Sequence, residues 1–211
     1  MNLSFSTRGW GDLSWEELVS TALDMKFNGI EVYNIQRFPE MTDRGGPFHK
    51  HKIAATVRQL RDMKLKIPCL DTSCDLSDSV AATETVAELM QLAHDLQVPS
   101  VVACALQENE ELVGQNIETL LKTAEALGVK LLIKTSGIYA DTARLRNMLD
   151  SFASDYLGAL WDMHHPYRDM DESADATIKN LGAYVCHVHL RDSDDKDTYN
   201  LIVKVRCRWL I

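Results

Sequence analysis

Residues 160–165 of the chain read Leu-Trp-Asp-Met-His-His, and residues 185–192 read Val-Cys-His-Val-His-Leu-Arg-Asp. Each stretch runs from apolar residues directly into carboxylate and imidazole groups. Asp and His side chains are ligands for divalent metal ions, and they are costly to bury without a partner. Two strands that end side by side in such groups therefore indicate a metal-centred site at one edge of a sheet.

Short apolar stretches alternate with amphipathic helical stretches along the rest of the chain. We predict seven strands, at residues 2–6, 29–33, 66–71, 100–104, 130–134, 157–162 and 184–189. The clearest of the helices between them has apolar residues at three- and four-residue spacing from Leu112 to Ala124, and Gly128 follows as its end. This alternation predicts an α/β fold with a parallel sheet that is covered on both faces.

Polar residues stand at the C-terminal ends of these predicted strands: Glu31, Asp71, Lys134, Asp162 and His189. In a (β/α)8 barrel, that edge carries the active site. An open doubly wound sheet would instead need a Gly-rich phosphate-binding turn after its first strand, and residues 7–12 lack that spacing. We therefore predict a (β/α)8 TIM-barrel type of fold. A complete barrel has about 250 residues, so this shorter chain is predicted to be incomplete, with seven strands and the eighth strand missing.

The composition is that of a globular domain, with 45% hydrophobic and 25% charged residues. The net charge of −9 argues against a nucleic-acid partner, because a phosphate backbone is bound by clustered Lys and Arg side chains. We find no apolar run of about 20 residues and no signal-peptide pattern, so we predict no membrane partner. A cytoplasmic location is the corresponding expectation.

The order of these motifs resembles the sugar phosphate isomerase/epimerase family, also called xylose isomerase-like TIM barrels. The resemblance extends from residue 1 to about residue 202, which we interpret as one partial-barrel domain. It is carried by Gly-Ile-Glu-Val at 29–32, Leu-Leu-Ile-Lys-Thr at 131–135, Trp-Asp-Met-His-His at 161–165 and His-Val-His-Leu-Arg-Asp at 187–192. The family implies an isomerase or epimerase of carbohydrate metabolism. Such an enzyme moves the proton next to a carbonyl of a small sugar or sugar acid with the help of a divalent metal ion.

Carried over position by position, the resemblance implies roles for five residues. Asp162 and His189 match metal ligands, the ion being one of Mn, Mg, Co and Zn. His165 and Arg191 match groups that contact substrate oxygens. Glu31 is a further polar residue that we place in the substrate site.

Two of these interpretations have simpler alternatives. Asp162 would also serve as a cap for the loop that follows its strand. His187, two residues before His189, is expected to pack into the barrel wall as a structural group.

One position departs from the family pattern in a way that affects catalysis. The Glu of strand five falls on Lys134, whose ammonium group cannot ligate a cation and would repel one. The catalytic residue therefore stays unassigned, and we expect impaired activity and possible loss of the metal. Two other functions stay open: a non-catalytic pseudo-enzyme that binds or assembles with a partner, and an aldolase that uses Lys134 as a Schiff-base lysine.

The end of the chain departs from the family as well. After residue 202 the family continues Gly-Glu-Gly-x-Leu-Pro, whereas residues 203–211 read Val-Lys-Val-Arg-Cys-Arg-Trp-Leu-Ile. These nine residues can be back-translated with one choice of codons. If a single G is added in front, the shifted reading frame encodes Gly-Glu-Gly-Ala-Leu-Pro-Val-Ala-Asp. We interpret residues 203–211 as an aberrant tail that a frameshift would explain.

Without an eighth strand, the first and seventh strands are both open edges, and open edges and uncovered apolar faces favour association. We predict that size-exclusion chromatography shows a homo-oligomer or aggregates. A variant whose tail is restored to the Gly-Glu-Gly frame and extended should be monomeric and melt at a higher temperature. A monodisperse monomer of the present chain that melts as high as the extended form would contradict this prediction.

Overall fold

The computed structural model describes residues 2–193 and 199–200. Its strands are β1 (Ser4–Ser6), β2 (Gly29–Tyr33), β3 (Leu70–Asp75), β4 (Ser100–Ala105), β5 (Lys130–Gly137), β6 (Leu157–Asp162), β7 (Val185–His189), β8 (Asp192–Ser193) and β9 (Tyr199–Asn200). Its α-helices are α1 (Trp15–Asp24), α2 (Pro39–Thr42), α3 (Ile53–Asp62), α4 (Ala81–Asp95), α5 (Glu110–Leu127), α6 (Thr142–Phe152), α7 (His164–Met170) and α8 (Ala174–Leu181). The predicted tail at 203–211 lies outside the described residues.

The first seven strands form one parallel sheet in which each strand lies beside its neighbours in sequence. The sheet is curled, since a side chain of β2 contacts side chains of β7 across its concave face. Within the described ranges no eighth parallel strand follows, and β8 and β9 form a separate antiparallel pair. The architecture is thus an incomplete (β/α)8 barrel, and the prediction of the fold class is confirmed.

The helix boundaries have local causes that the sequence shows. The helix α1 begins with a capping box, in which Glu17 N–H donates to Ser14 Oγ at 3.3 Å and Ser14 N–H donates to Glu17 Oε2 at 2.8 Å. The helix α5 ends where Gly128 adopts the left-handed conformation at φ +66°. No helix in the described part of the chain is long and apolar enough to span a membrane.

Some elements differ from the prediction. The third strand was expected at residues 66–71, but β3 begins at Leu70 and runs to Asp75. Pro68 has no N–H for a ladder, and Lys66 makes only an isolated bridge with Gly29. The short helices α2 and α7 were not predicted, because neither is long enough to show a helical apolar period.

The core has two parts. The larger part packs the helices against the convex face of the sheet. The smaller part lies on the concave face and consists of Cys69, just before β3, and of Val102, Leu132 and Leu160 from β4, β5 and β6. Residues two positions further along a strand point the same way. The charged groups two positions further along the strands therefore form a second layer above this apolar layer, as the layers of a barrel interior do.

The two outer strands are less covered than the central ones. All residues of β4 and β6 are buried, whereas β7 alternates between half-buried and exposed positions. Val188 is 38% exposed on the outer side of β7, and Leu3, just before β1, is 47% exposed. His187 and His189 alternate with the exposed residues and so face the concave side.

Gly29 lets β2 approach the backbone that precedes β3. A Cβ at this position would lie 2.3 Å from the carbonyl oxygen of Lys66, to which Ile30 N–H donates at 2.9 Å. We predict that Gly29→Ala lowers the free energy of unfolding by about 1–3 kcal/mol, because the backbone must move to relieve the overlap. Chemical denaturation measures the effect.

The matched control is Gly9→Ala. A Cβ on Gly9 would meet nothing within 4 Å, so the change in stability should stay within about 0.5 kcal/mol. Equal losses in the two variants would show that the approach of β2 to Lys66 is not what makes Gly29 necessary.

Candidate functional site

The charged groups inside the barrel come from five strands or from the residues just after them. The strand residues are Glu31 of β2, Asp71 of β3, Lys134 of β5, Asp162 of β6, and His187 and His189 of β7. His165 follows β6, and Arg191 follows β7. All five residues that the sequence placed in the site are therefore brought together. Glu31 and Lys134 lie within their strands and not at the ends, and both are buried, as are Asp71 and Asp162.

Glu31 accepts hydrogen bonds from both histidines of β7. His187 Nε2 lies 3.0 Å and His189 Nε2 lies 2.6 Å from the same oxygen, Glu31 Oε2. Burial would raise the pKa of Glu31, but these two hydrogen bonds outweigh it and hold the pKa well below its usual value. The thiol of Cys69 also donates to Oε2 at 3.3 Å. Burial raises the pKa of Cys69 well above its usual value, and the negative charge of Glu31 raises it further. The group therefore stays a thiol.

The second oxygen of Glu31 is less well satisfied. Oε1 is buried and meets no donor at hydrogen-bond geometry in the described ranges. The Ser6 hydroxyl also lowers the pKa of Glu31, but less than either histidine does. Glu31 thus has spare capacity to accept an interaction on the concave side of the sheet.

Asp162 is held by cations. The guanidinium of Arg191 binds both of its oxygens, with Nε at 2.9 Å from Oδ1 and Nη2 against Oδ2. Lys134 Nζ is 3.8 Å from Oδ2, and Nδ1 of His189 is also 3.8 Å from Oδ2. Burial opposes ionisation, yet His189, Arg191 and Lys134 together hold the pKa of Asp162 below its usual value. Oδ1 also accepts from His164 N–H at 3.2 Å, so the predicted capping role is present beside the ion pairs.

Lys134 is the buried cation at the centre of the cluster. Its Nζ donates to Asp71 Oδ2 at 3.2 Å, and the two side chains are 9% and 2% exposed. Burial raises the pKa of Asp71, and the charge of Lys134 offsets only part of this effect. The ammonium group lies between Asp71 and Asp162, where the family resemblance would place a carboxylate and a metal ion.

His165 connects the cluster to helix α7. Its Nε2 lies 2.7 Å from Arg191 Nη2, and its Nδ1 lies 2.9 Å from Asp169 Oδ2. A guanidinium only donates, so Nε2 accepts and Nδ1 carries the proton that is donated to Asp169. This arrangement fixes the imidazole tautomer and keeps His165 beside Arg191.

A divalent ion on the Asp162 side of His189 would lie among positive groups. Both Asp162 oxygens face positive groups, and an ion placed there would have to displace Arg191 and meet the ammonium of Lys134. Like charges at such distances repel strongly in a buried site. The Asp162 side therefore does not fit a divalent ion as the side chains stand.

One member of the site, His187, was not predicted from the sequence. It was expected to point into the barrel wall or to pack as a structural group, and its imidazole instead reaches Glu31. The signal was available in the spacing, since His187 and His189 are two apart on a regular strand and must share a face. In the described residues, Glu31, His187 and His189 also form a group whose candidate ligand atoms all lie within 4.8 Å of one another.

A family model described as xylose isomerase-like TIM barrel matches residues 9–208. A comparison with curated proteins finds no match. Solved structures share the fold at low sequence identity. An IolI protein with a bound zinc atom is 16% identical, with a TM-score of 0.75 over 92% of this chain and 74% of that chain.

Two further solved structures have the same fold. An L-ribulose 3-epimerase is 16% identical, with a TM-score of 0.71 over 89% of this chain and 69% of that chain. A xylose isomerase-like TIM barrel protein from Mycobacterium smegmatis, in complex with magnesium, is 14% identical, with a TM-score of 0.67 over 92% of this chain and 76% of that chain.

His189 gives a pH-dependent prediction for the metal-free protein. Burial lowers its pKa, but its contacts with Asp162 and Glu31 outweigh that effect and raise the pKa from the usual 6.5 to about 9. The stabilising contribution of the raised pKa is therefore complete below about pH 6.5 and is lost as the pH rises through about 9. We predict that the free energy of unfolding in EDTA falls by on the order of 2 kcal/mol between pH 7 and pH 10.

Chemical denaturation at several pH values measures this fall, and His189→Asn should remove most of it. His51→Asn is the matched control, because His51 is exposed and lies outside the site. A fall of the same size in His189→Asn and in the unchanged protein would contradict the assignment to His189.

Proposed function

Because the chain belongs to the xylose isomerase-like TIM barrel family, we propose that it is a sugar isomerase/epimerase-type protein whose catalytic chemistry is impaired. Its substrate class is a small sugar or sugar acid, and the reaction of an intact relative moves the proton next to a carbonyl. The observation that carries the proposal is the buried Lys134, which is 3.2 Å from Asp71 and 3.8 Å from Asp162. It puts a positive charge where this chemistry needs a carboxylate.

The substrate end of the site would be formed by Arg191, His165 and Glu31. The guanidinium of Arg191 is positioned by Asp162 on one side and by His165 on the other. A fixed guanidinium can bind a carboxylate or a phosphate oxygen of a substrate. Glu31 can accept a hydrogen bond from a sugar hydroxyl through its buried Oε1.

The family-type metal ligands in this proposal are Asp162 and His189. A metal ion bound there would act as a Lewis acid that polarises a substrate carbonyl. In this chain Lys134 and Arg191 neutralise Asp162 instead, so we propose that this side of the site has lost the ion. Lys134 cannot substitute as the base that removes the proton, because a protonated ammonium only donates.

A pseudo-enzyme that keeps the sugar site without turnover is the second candidate. The same ion pair favours it, since Lys134 satisfies the carboxylates and lets the barrel fold without catalytic groups. An aldolase is disfavoured, because a Schiff base requires a neutral amine and Lys134 is paired with Asp71. Failure to trap a ketose adduct with borohydride would remove the aldolase.

The test compares the unchanged chain with Lys134→Glu in the presence of Mn²⁺. Exchange of solvent deuterium into the carbon next to the carbonyl is followed by NMR for a panel of ketoses. We expect no exchange above background for the unchanged chain, and at least about tenfold faster exchange for Lys134→Glu, because a carboxylate can move the proton. Mn²⁺ should also raise the melting temperature of Lys134→Glu, because the new carboxylate then lies beside those of Asp71 and Asp162 and needs a cation.

Lys122→Glu makes the same charge change on an exposed residue of α5 and is the control. Turnover by the unchanged chain in the usual enzyme range of about 1–10³ s⁻¹ would overturn both the impairment and the pseudo-enzyme alternative. A Lys134→Glu variant that gains neither exchange nor stabilisation by Mn²⁺ would show that Lys134 is not the cause.

A further inference from the structure

We propose that Glu31, His187 and His189 form a three-ligand site for a divalent ion of the Zn²⁺ class. This site uses the Nε2 side of His189, opposite to the Asp162 side that the family resemblance implies. The inference concerns ion binding alone and holds whether or not the chain acts on a sugar.

The geometry of the three groups suits a single ion. Their ligand atoms, two imidazole nitrogens and one carboxylate oxygen, all lie within 4.8 Å of one another. Around a tetrahedral Zn²⁺ with bonds of about 2.0–2.1 Å, neighbouring ligand atoms are roughly 3.3 Å apart. In the structure Nε2 of His187 and Nε2 of His189 are 3.0 Å and 2.6 Å from Glu31 Oε2. Separations larger by about 0.3 Å at His187 and about 0.7 Å at His189 would therefore open the space for the ion, which replaces the two N–H···O hydrogen bonds.

The chemistry of the donors selects the class of ion. Two imidazoles and one carboxylate suit Zn²⁺, Co²⁺ and similar borderline metals better than Mg²⁺ or Ca²⁺, which prefer oxygen ligands alone. Three protein ligands leave at least one coordination position for water or for a substrate oxygen. The thiol of Cys69, 3.3 Å from Glu31 Oε2, holds the carboxylate from behind.

The surroundings favour this side of His189 over the other. In the described part of the chain, Glu31 forms ion pairs with the imidazoles of His187 and His189, and these become neutral ligands when they bind a metal. Asp162, in contrast, is paired with the guanidinium of Arg191 and the ammonium of Lys134, and neither group can ligate a metal ion. An ion near Glu31 needs to displace only protons, whereas an ion at Asp162 must displace whole side chains.

The site is also within reach of solvent. Glu31 is buried, but the side chains of His187 and His189 are 19% and 18% exposed. His187 also lines a cleft of about 970 Å³ at the N-terminal side of the sheet, which Ser4, Gly29, Ser100 and Lys130 line as well. An ion can therefore enter without unfolding the barrel.

The experiment measures Zn²⁺ binding to the full chain by isothermal titration calorimetry, and Co²⁺ binding by its visible absorption. We expect one ion per chain in the unchanged protein. His187→Asn should weaken Zn²⁺ binding at least about 100-fold, because loss of a ligand costs more than loss of a group that only orients one. Asp162→Asn should keep the Zn²⁺ dissociation constant within the same order of magnitude.

The two variants separate this site from the family-type site. His187 belongs only to the proposed triad, and Asp162 belongs only to the family-type pair, whereas His189 is shared. His51→Asn, a change of an exposed histidine, controls for weak surface binding. If His187→Asn fails to fold by circular dichroism, Glu31→Gln replaces it in the same comparison.

Loss of binding in Asp162→Asn with retention in His187→Asn would overturn the proposal, as would the absence of saturable Zn²⁺ binding in the unchanged chain. Neither readout involves a sugar. Failure of the triad therefore leaves the proposed sugar chemistry standing, and turnover results leave the triad standing.

Discussion

The buried charges on the concave face of the barrel must balance, and the rest of the site depends on this constraint. An isolated ion in a protein interior is costly, and it is tolerated only with a partner and with hydrogen bonds. Three carboxylates stand together here, those of Glu31, Asp71 and Asp162, with Lys134, Arg191 and the two imidazoles of β7 around them. Each carboxylate has a cation or an imidazole within contact distance. Lys134 and Arg191 offset two of the three negative charges, and one protonated imidazole of β7 offsets the third.

His189 joins the two halves of this layer. Its Nε2 contacts Glu31 and its Nδ1 faces Asp162, so one imidazole is shared by an anion from β2 and an anion from β6. A group that binds one ring nitrogen of His189 replaces the proton there. This changes the charge of the imidazole and so its interaction with the carboxylate at the other nitrogen. The Glu31 side is built from imidazoles, which can exchange a proton for a metal. On the Asp162 side, Arg191 and Lys134 pair with the carboxylate, and these groups cannot ligate a metal ion.

Much of the fold could be predicted from local patterns. The strand at Leu157–Asp162 has its predicted bounds, and Ser14 and Gly128 mark helix ends by mechanisms that act within a few residues. The third strand was misplaced because the apolar run around Pro68 reads as a strand although the proline has no N–H to donate. The exposed positions of β7 depend on what lies beside the strand and not on its own residues.

The sequence by itself determined the fold class, the concave-facing positions of Asp162 and His189, and the positive charge at Lys134. These follow from alternation along single strands and from the chemistry of single residues. Only the tertiary structure decided that Arg191 pairs with Asp162 and that His187 joins His189 on Glu31, 156 residues earlier in the chain. Contacts across a curled sheet depend on strand register and on the curvature of the whole sheet, and no local pattern encodes either quantity.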